Sequence, residues 1–246
     1  IAGFGYQEGR ISSWDGKRTY TQAVPHMAKH CCDNGVDEIL VYDWSVTDED
    51  HEAAIAVIKE VCREADAPVI AGGRVKRMED VKKYLYAGAS AVFLDMSKEE
   101  NTDMIKEASG RFGKEKIYAY LPTDEYIDSV KDYGAAGASV MLLNTAGSVP
   151  SLLEMASISD SEASFLFFLQ AKDDAKDTAE SLKNAFGCGN ICGAVLTFTE
   201  DNMDSSMTIK QSLKAAGISV DTFESSVDWK DFKLNSDGLI PVIVQD

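Results

Sequence analysis

The feature that most constrains the fold is an alternation: short apolar or β-branched runs, each followed by apolar residues at helical spacing, recur from one end of the chain to the other. Parallel strands linked by helices produce this pattern, because each strand is covered on both faces and each return needs a crossover helix. Strands read at residues 1–5, 38–43, 68–71, 90–95, 116–121, 139–144, 164–169 and 191–197. Between them, residues 48–65 place Ala54, Ile55, Ile58, Val61 and Cys62 at helical spacing, and residues 78–87 do so with Val81, Tyr84 and Leu85. Eight such units in 246 residues fit a (β/α)8 TIM barrel, which typically takes about 250.

Gly-led turns stand before the even-numbered strands: Gly35-Val36-Asp37, Gly88-Ala89-Ser90, Gly137-Ala138-Ser139 and Gly193-Ala194. Glycine just after a helix is expected as its C-cap, so the chain repeats in pairs of units. A longer repeat relates Pro68-Val69-Ile70-Ala71-Gly72-Gly73 to Phe165-Leu166-Phe167-Phe168-Leu169-Gln170-Ala171, half a barrel away.

Charge narrows the partners. The net charge of -17, from 24 basic against 41 acidic residues, repels phosphate backbones and anionic lipid, which argues against nucleic acid and membrane surfaces. No run approaches the roughly 18 apolar residues of a membrane helix. A small phosphorylated ligand stays open, since such sites are built locally from backbone N–H groups. The five cysteines, Cys31, Cys32, Cys62, Cys188 and Cys192, form no C-x-x-C pair, the expectation for a reduced, cytoplasmic chain without a metal or other cofactor. Cys188 and Cys192 lack a second ligand pair nearby. His26 and His30 share a helix face without a third acidic ligand, so both pairs read as ordinary side chains.

The segment from Pro68-Val69-Ile70-Ala71-Gly72-Gly73 to Ala91-Val92-Phe93-Leu94-Asp95 closely resembles the strand-three to strand-four region of the isomerase (HisA-like) and cyclase (HisF-like) barrels of histidine biosynthesis. The resemblance covers nearly the whole barrel and includes Asp37-Glu38-Ile39-Leu40-Val41-Tyr42-Asp43, Arg111-Phe112-Gly113-Lys114 and Ile209-Lys210-Gln211-Ser212-Leu213; the cyclase is the nearer relative. It implies that Gly72 and Gly73 bind a substrate phosphate. It also implies two carboxylates, at the ends of strands one and five, acting as general acid and base on a phosphoribosyl aminoimidazole.

Proton transfer needs a titratable group within hydrogen-bond reach, and those carboxylates are missing. Aligning Phe4-Gly5-Tyr6-Gln7-Glu8-Gly9-Arg10 on the family's Leu-Asp-Val-Lys-Asp-Gly-Arg puts Gly5 in the place of the first acid, and strand five ends in Leu121 in the place of the second. The second phosphate half-site reads Gln170-Ala171 instead of Gly-Gly, and Asn144-Thr145-Ala146-Gly147 lacks the acid of the family's strand-six loop. Asp95 adds a carboxylate that opposes phosphate at the first half-site. Asp43 survives as the one catalytic candidate, although a lone carboxylate there can equally anchor a loop N–H.

The barrel is assigned to residues 1–220, and residues 221–246 to a linker and the opening strand of a second domain. Gly238-Leu239-Ile240-Pro241-Val242-Ile243-Val244-Gln245-Asp246 resembles the start of phosphoribosyl-AMP cyclohydrolase, the first half of a bifunctional (HisIE-type) protein that also carries phosphoribosyl-ATP pyrophosphohydrolase. An ordinary β-strand tail would share its composition. The expectation is therefore a pseudoenzyme barrel preceding hydrolase domains in one chain, serving as a scaffold or as a binder of inorganic phosphate or a phosphoribosyl compound; oligomeric state stays open. The enzyme alternative is a barrel with isomerase, cyclase or repurposed activity, which requires at least two of Asp43, Asp95 and Glu8 to converge within about 7 Å. Docking of a glutaminase, implied by the cyclase relative, is favoured by no feature of the sequence.

Overall fold

The computed structural model of the chain describes residues 1–14, 16, 19, 23–144, 164–186, 190–198 and 202–222. Strand β1 (Ala2–Gln7) returns on itself as a short strand, β2 (Arg10–Ser12). The alternation then runs α1 (Val24–Asp33), β3 (Ile39–Asp43), α2 (Asp48–Glu64), β4 (Val69–Gly72), α3 (Met78–Ala87), β5 (Ala91–Asp95), α4 (Glu99–Phe112), β6 (Ile117–Leu121), α5 (Val130–Ala136) and β7 (Val140–Leu143). It continues with β8 (Ser164–Gln170), α6 (Ala175–Phe186), β9 (Ile191–Thr197) and α7 (Ser206–Ala215).

Apart from β2, every strand pairs in parallel with its sequence neighbour, and β1 pairs with β9 through Ala2 and Leu196. The sheet is therefore a closed (β/α)8 barrel, and each strand expected from the sequence is a stave of it. The Leu196 amide donates to the Ile1 carbonyl at 2.7 Å across the seam. The second domain assigned to residues 221–246 falls almost wholly outside the described residues. Among those residues no helix is long and apolar enough to cross a membrane.

Local chemistry sets the element ends. Helix α2 starts where Thr47 Oγ1 accepts from the Asp50 amide at 3.1 Å, and Asp48, Glu49 and Asp50 in its first turn complement the positive end of the helix dipole. Helices α3 and α5 end at Gly88 and Gly137, with φ of 112° and 116°, the left-handed conformation that favours glycine. Gly193 corrects the expectation of a fourth cap: it lies inside β9, and a Cβ there would stand 2.9 Å from Leu166 Cδ2. Its role is close packing inside the barrel.

Side chains alternate between two apolar layers, as the pleat requires. On β3, Ile39 and Val41 pack into the layer beneath the helices, while Leu40 and Tyr42 point into the barrel with Ile70, Phe93, Tyr120 and Phe168. On β1 the inward positions are Gly3 and Gly5, since Ala2, Phe4 and Tyr6 belong to the outer layer and a Cβ on Gly3 would meet interior Val195.

The β1–β2 hairpin was not anticipated. Gln7 pairs with Arg10, leaving Glu8 and Gly9 as a two-residue loop with φ of 49° and 80°. Both positive angles are what a type I′ turn demands, and Asn-Gly satisfies it with less strain than Glu-Gly. Glu8→Asn is expected to stabilise the chain by about 0.5–1 kcal/mol, read as a higher urea midpoint at unchanged slope.

Candidate functional site

In barrels of this kind chemistry sits at the C-terminal ends of the strands. Here that mouth is closed from within. After β2 the chain places Trp14 inside the barrel, 4% exposed. Its indole lies 4.4 Å from the Phe168 ring, 5.2 Å from Tyr42, 5.7 Å from Tyr120 and 6.0 Å from Phe93, centroid to centroid. Trp14 Nε1 donates to Tyr120 Oη at 3.2 Å, and Asn144 Nδ2 donates to the same oxygen at 2.8 Å. Above this layer Trp44 stacks on Tyr42 at 4.0 Å and donates through Nε1 to the Trp14 carbonyl at 3.0 Å.

Gly5 lies beneath this closure. A Cβ at that position would stand 2.6 Å from the Ser13 carbonyl oxygen and 3.0 Å from Trp44, with Ser12 Oγ closer still. No side chain fits there, so the position aligned with the family's first acid has no volume for one. Leu121 faces the helix layer and is fully buried; the residue that β6 turns inward beside it is Tyr120.

Gly72 and Gly73 have packing reasons of their own. A Cβ on Gly72 would collide with the Phe93 carbonyl and lie 2.8 Å from its ring, and one on Gly73, at φ 103°, would lie 2.6 Å from the Tyr42 ring. The glycine pair lets two interior rings sit against the backbone of β4. Gln170 turns its side chain to solvent and donates to the Thr197 carbonyl at 2.8 Å, while Ala171 is buried and its carbonyl accepts from Asn202 Nδ2 at 3.1 Å.

The carboxylates do not converge in the mouth. Asp43, 1% exposed, faces the helix layer and accepts from the Ser45 amide at 2.9 Å, Tyr84 Oη at 2.8 Å and, with the proton on Nδ1, His51 at 2.7 Å. It joins β3 to α2 and α3. His51 Nε2 lies 3.7 Å from Asp80, itself buried and capping the Lys76 amide. Burial, and then the Asp43 charge, pushes the Tyr84 hydroxyl well above its ordinary range, so it stays a donor. Asp95 points the other way, into the barrel, where it accepts from Tyr42 Oη at 2.6 Å and the Ser97 amide at 2.9 Å. Burial, and then Asp95, raises the Tyr42 hydroxyl in turn. Glu8 is exposed at the hairpin tip. Asp124 begins the 3-10 segment Asp124–Ser129.

At the opposite, N-terminal end of the strands a cavity of about 720 Å³ is lined by Glu38, Pro68, Tyr118, Val140 and Ile191, and extends past Lys210 and Ile218. Burial raises the Glu38 carboxyl and pushes the Tyr118 hydroxyl up to about 12. These are stem-end groups, away from the mouth. His30 approaches Asp204 at 3.9 Å, and among the described residues no three His, Cys, Asp or Glu side chains gather as a metal site would require. Cys188 and residues 145–147 lie outside the described residues.

The sequence pointed to Asp43 but not to its partners. His51 stands eight residues on and would have been visible as a polar intrusion on the apolar face of α2. The closure by Trp14 was missed, although the Gly-Phe-Gly run on β1 left an inward gap that some other side chain had to fill.

Two outcomes follow. Asp43→Ala removes the acceptor shared by three buried donors and is expected to cost about 3 kcal/mol or more, measured by urea unfolding. Burial pushes the Cys31 thiol up to about 12 and that of Cys62 to about 11. The thiolate appears only as pH rises towards those values, so at pH 8 both should resist Ellman's reagent in the native chain and react in denaturant, as peptide mass mapping would show.

A family model described as "Histidine biosynthesis protein" matches residues 9–151, more than half of the chain. Among similar proteins, the imidazole glycerol phosphate synthase subunit HisF of Dictyoglomus thermophilum is 36% identical over 81 residues, covering 33% of this chain and 32% of the relative. The subunits of the same name from Clostridium botulinum and Staphylococcus aureus are 35% identical over 91 residues and 31% over 102, covering 36% and 40% of those relatives. The matched segments thus span less than half the length of each relative. With a closed eightfold barrel on one side and this match on the other, the chain belongs to the histidine biosynthesis protein family.

Proposed function

We propose that this chain is a non-catalytic HisF-like barrel serving as a scaffold for hydrolase domains that follow it in one protein. The observation that carries the reading is the closed mouth. Trp14 fills the barrel interior among the rings of Tyr42, Phe93, Tyr120 and Phe168, and Gly5 has no room for even a Cβ where the family's first acid aligns. A diphosphorylated substrate needs open volume and paired acid and base. Asp43 is spent on three hydrogen bonds in the helix layer, and Asp95 lies on the other face of the sheet.

The hydrolase domains rest on the resemblance of residues 238–246 to the opening of phosphoribosyl-AMP cyclohydrolase, a stretch outside the described residues. The chemistry of the parent protein, phosphoribosyl-AMP cyclohydrolase with phosphoribosyl-ATP pyrophosphohydrolase, would then belong to those domains. A second reading, binding of inorganic phosphate or a phosphoribosyl compound at Gly72 and Gly73, is favoured by one feature. Arg74 follows the pair, is 7% exposed, and its Nε has no hydrogen-bond partner, although its guanidinium also pairs with Asp48.

The test is turnover of the phosphoribosyl substrates of the isomerase and cyclase by the purified chain. None is expected above the background of a heat-denatured sample. A rate abolished by Asp43→Asn, in a variant whose unfolding midpoint shows it folded, would overturn the scaffold reading. Thermal shifts with phosphate, sulfate and the phosphoribosyl intermediates decide the second reading: stabilisation lost in Arg74→Met supports it, and no shift removes it.

A further inference from the structure

The barrel interior has the makings of a ring-binding site. Its walls are four aromatic side chains from four strands, Tyr42 on β3, Phe93 on β5, Tyr120 on β6 and Phe168 on β8. Its floor on β1 is Gly3, where a Cβ would stand 3.4 Å from Trp14 Cε3. The rings meet the Trp14 indole in mixed geometry, tilted at 35° for Phe168 and 43° for Phe93, edge-on at 89° for Tyr42 and 70° for Tyr120. Offset and edge-to-face contacts of this kind are the favourable ones between aromatic quadrupoles. One polar group serves the indole N–H, the Tyr120 oxygen, which the Asn144 amide holds from another side.

An enclosed apolar slot with a single aimed acceptor recognises a flat ring carrying one N–H. We propose that the upper barrel interior is a binding site for a planar N–H heteroaromatic ring, and that this chain occupies it with its own Trp14. The inference goes beyond the scaffold reading and does not depend on it, since a ring site occupied from within is compatible with any activity elsewhere in the chain.

The test uses the whole chain and indole as the probe. Trp14→Gly deletes the occupant and leaves a cavity walled by aromatic rings, and cavities with mainly apolar walls take up small aromatic molecules. Indole is expected to raise the Tm of Trp14→Gly by about 3–6 °C at ten times its Kd and to leave the wild type unmoved. Benzofuran, the same shape without the N–H, is expected to bind several-fold more weakly because the Tyr120 oxygen gains nothing from it. An equal shift of wild type and variant, or none in the variant, overturns the proposal. Should Trp14→Gly fail to fold, the wild type decides through hydrogen exchange at Trp14 Nε1 by NMR. A protected proton that exchanges faster in Tyr120→Phe supports the site, and exchange at the rate of free indole overturns it.

Discussion

The packing of one indole against four rings and Gly3 is the constraint on which the rest of the barrel depends. Gly3 leaves room for the indole on the inward face of β1, and Gly5 leaves room for the Ser12–Ser13 segment that leads into it. The rings around it require close approach to β4, which Gly72 and Gly73 allow. A carboxylate at position 5 and the loop that carries Trp14 compete for the same volume. Gly72 and Gly73 are needed by the aromatic interior for the same reason, since a Cβ at either would meet Phe93 or Tyr42.

A second, polar constraint lies outside the sheet. Asp43 gathers donors from its own loop, from α2 and from α3 in a place without water, where each bond is stronger and each missing partner more costly than at the surface. Asp80 extends the cluster through His51. The arrangement gives this quarter of the barrel a registered docking of helices on strands, which apolar packing alone specifies less sharply.

The barrel was legible because its strands, buried on both faces, stand out as apolar runs and its helices as amphipathic stretches. The hairpin was not, since Arg10-Ile11-Ser12 is too short to show a period and its loop, Glu8-Gly9, departs from the usual Asn-Gly. Gly193 was read as a cap by analogy with Gly88 and Gly137, which share its Gly-Ala sequence; a local pattern cannot distinguish a turn from a close contact between strands. At the site, the sequence singled out Asp43 and left open an anchoring role, and in the structure its carboxylate accepts from the Ser45 amide, Tyr84 and His51. Its direction was hidden, because whether a residue at the last position of a strand faces the pore or the helices depends on a register that one residue of slip reverses. The ring cluster was hidden for another reason: Trp14, Tyr42, Phe93, Tyr120 and Phe168 are scattered along the chain and become neighbours only when the barrel closes.

That scattering sets an order of events as the chain is made. Trp14 leaves the ribosome with the first hairpin, yet Phe168, its nearest ring, follows only after the five strands β3 to β7. Until then the indole has no enclosure, and the pairing of Ala2 with Leu196 waits longer still. Contacts of such sequence separation form late and slowly. Strand β1 can pair with β3 early, but the indole that its hairpin brings in stays without its full enclosure until β8 is made, and the barrel seam closes only with β9.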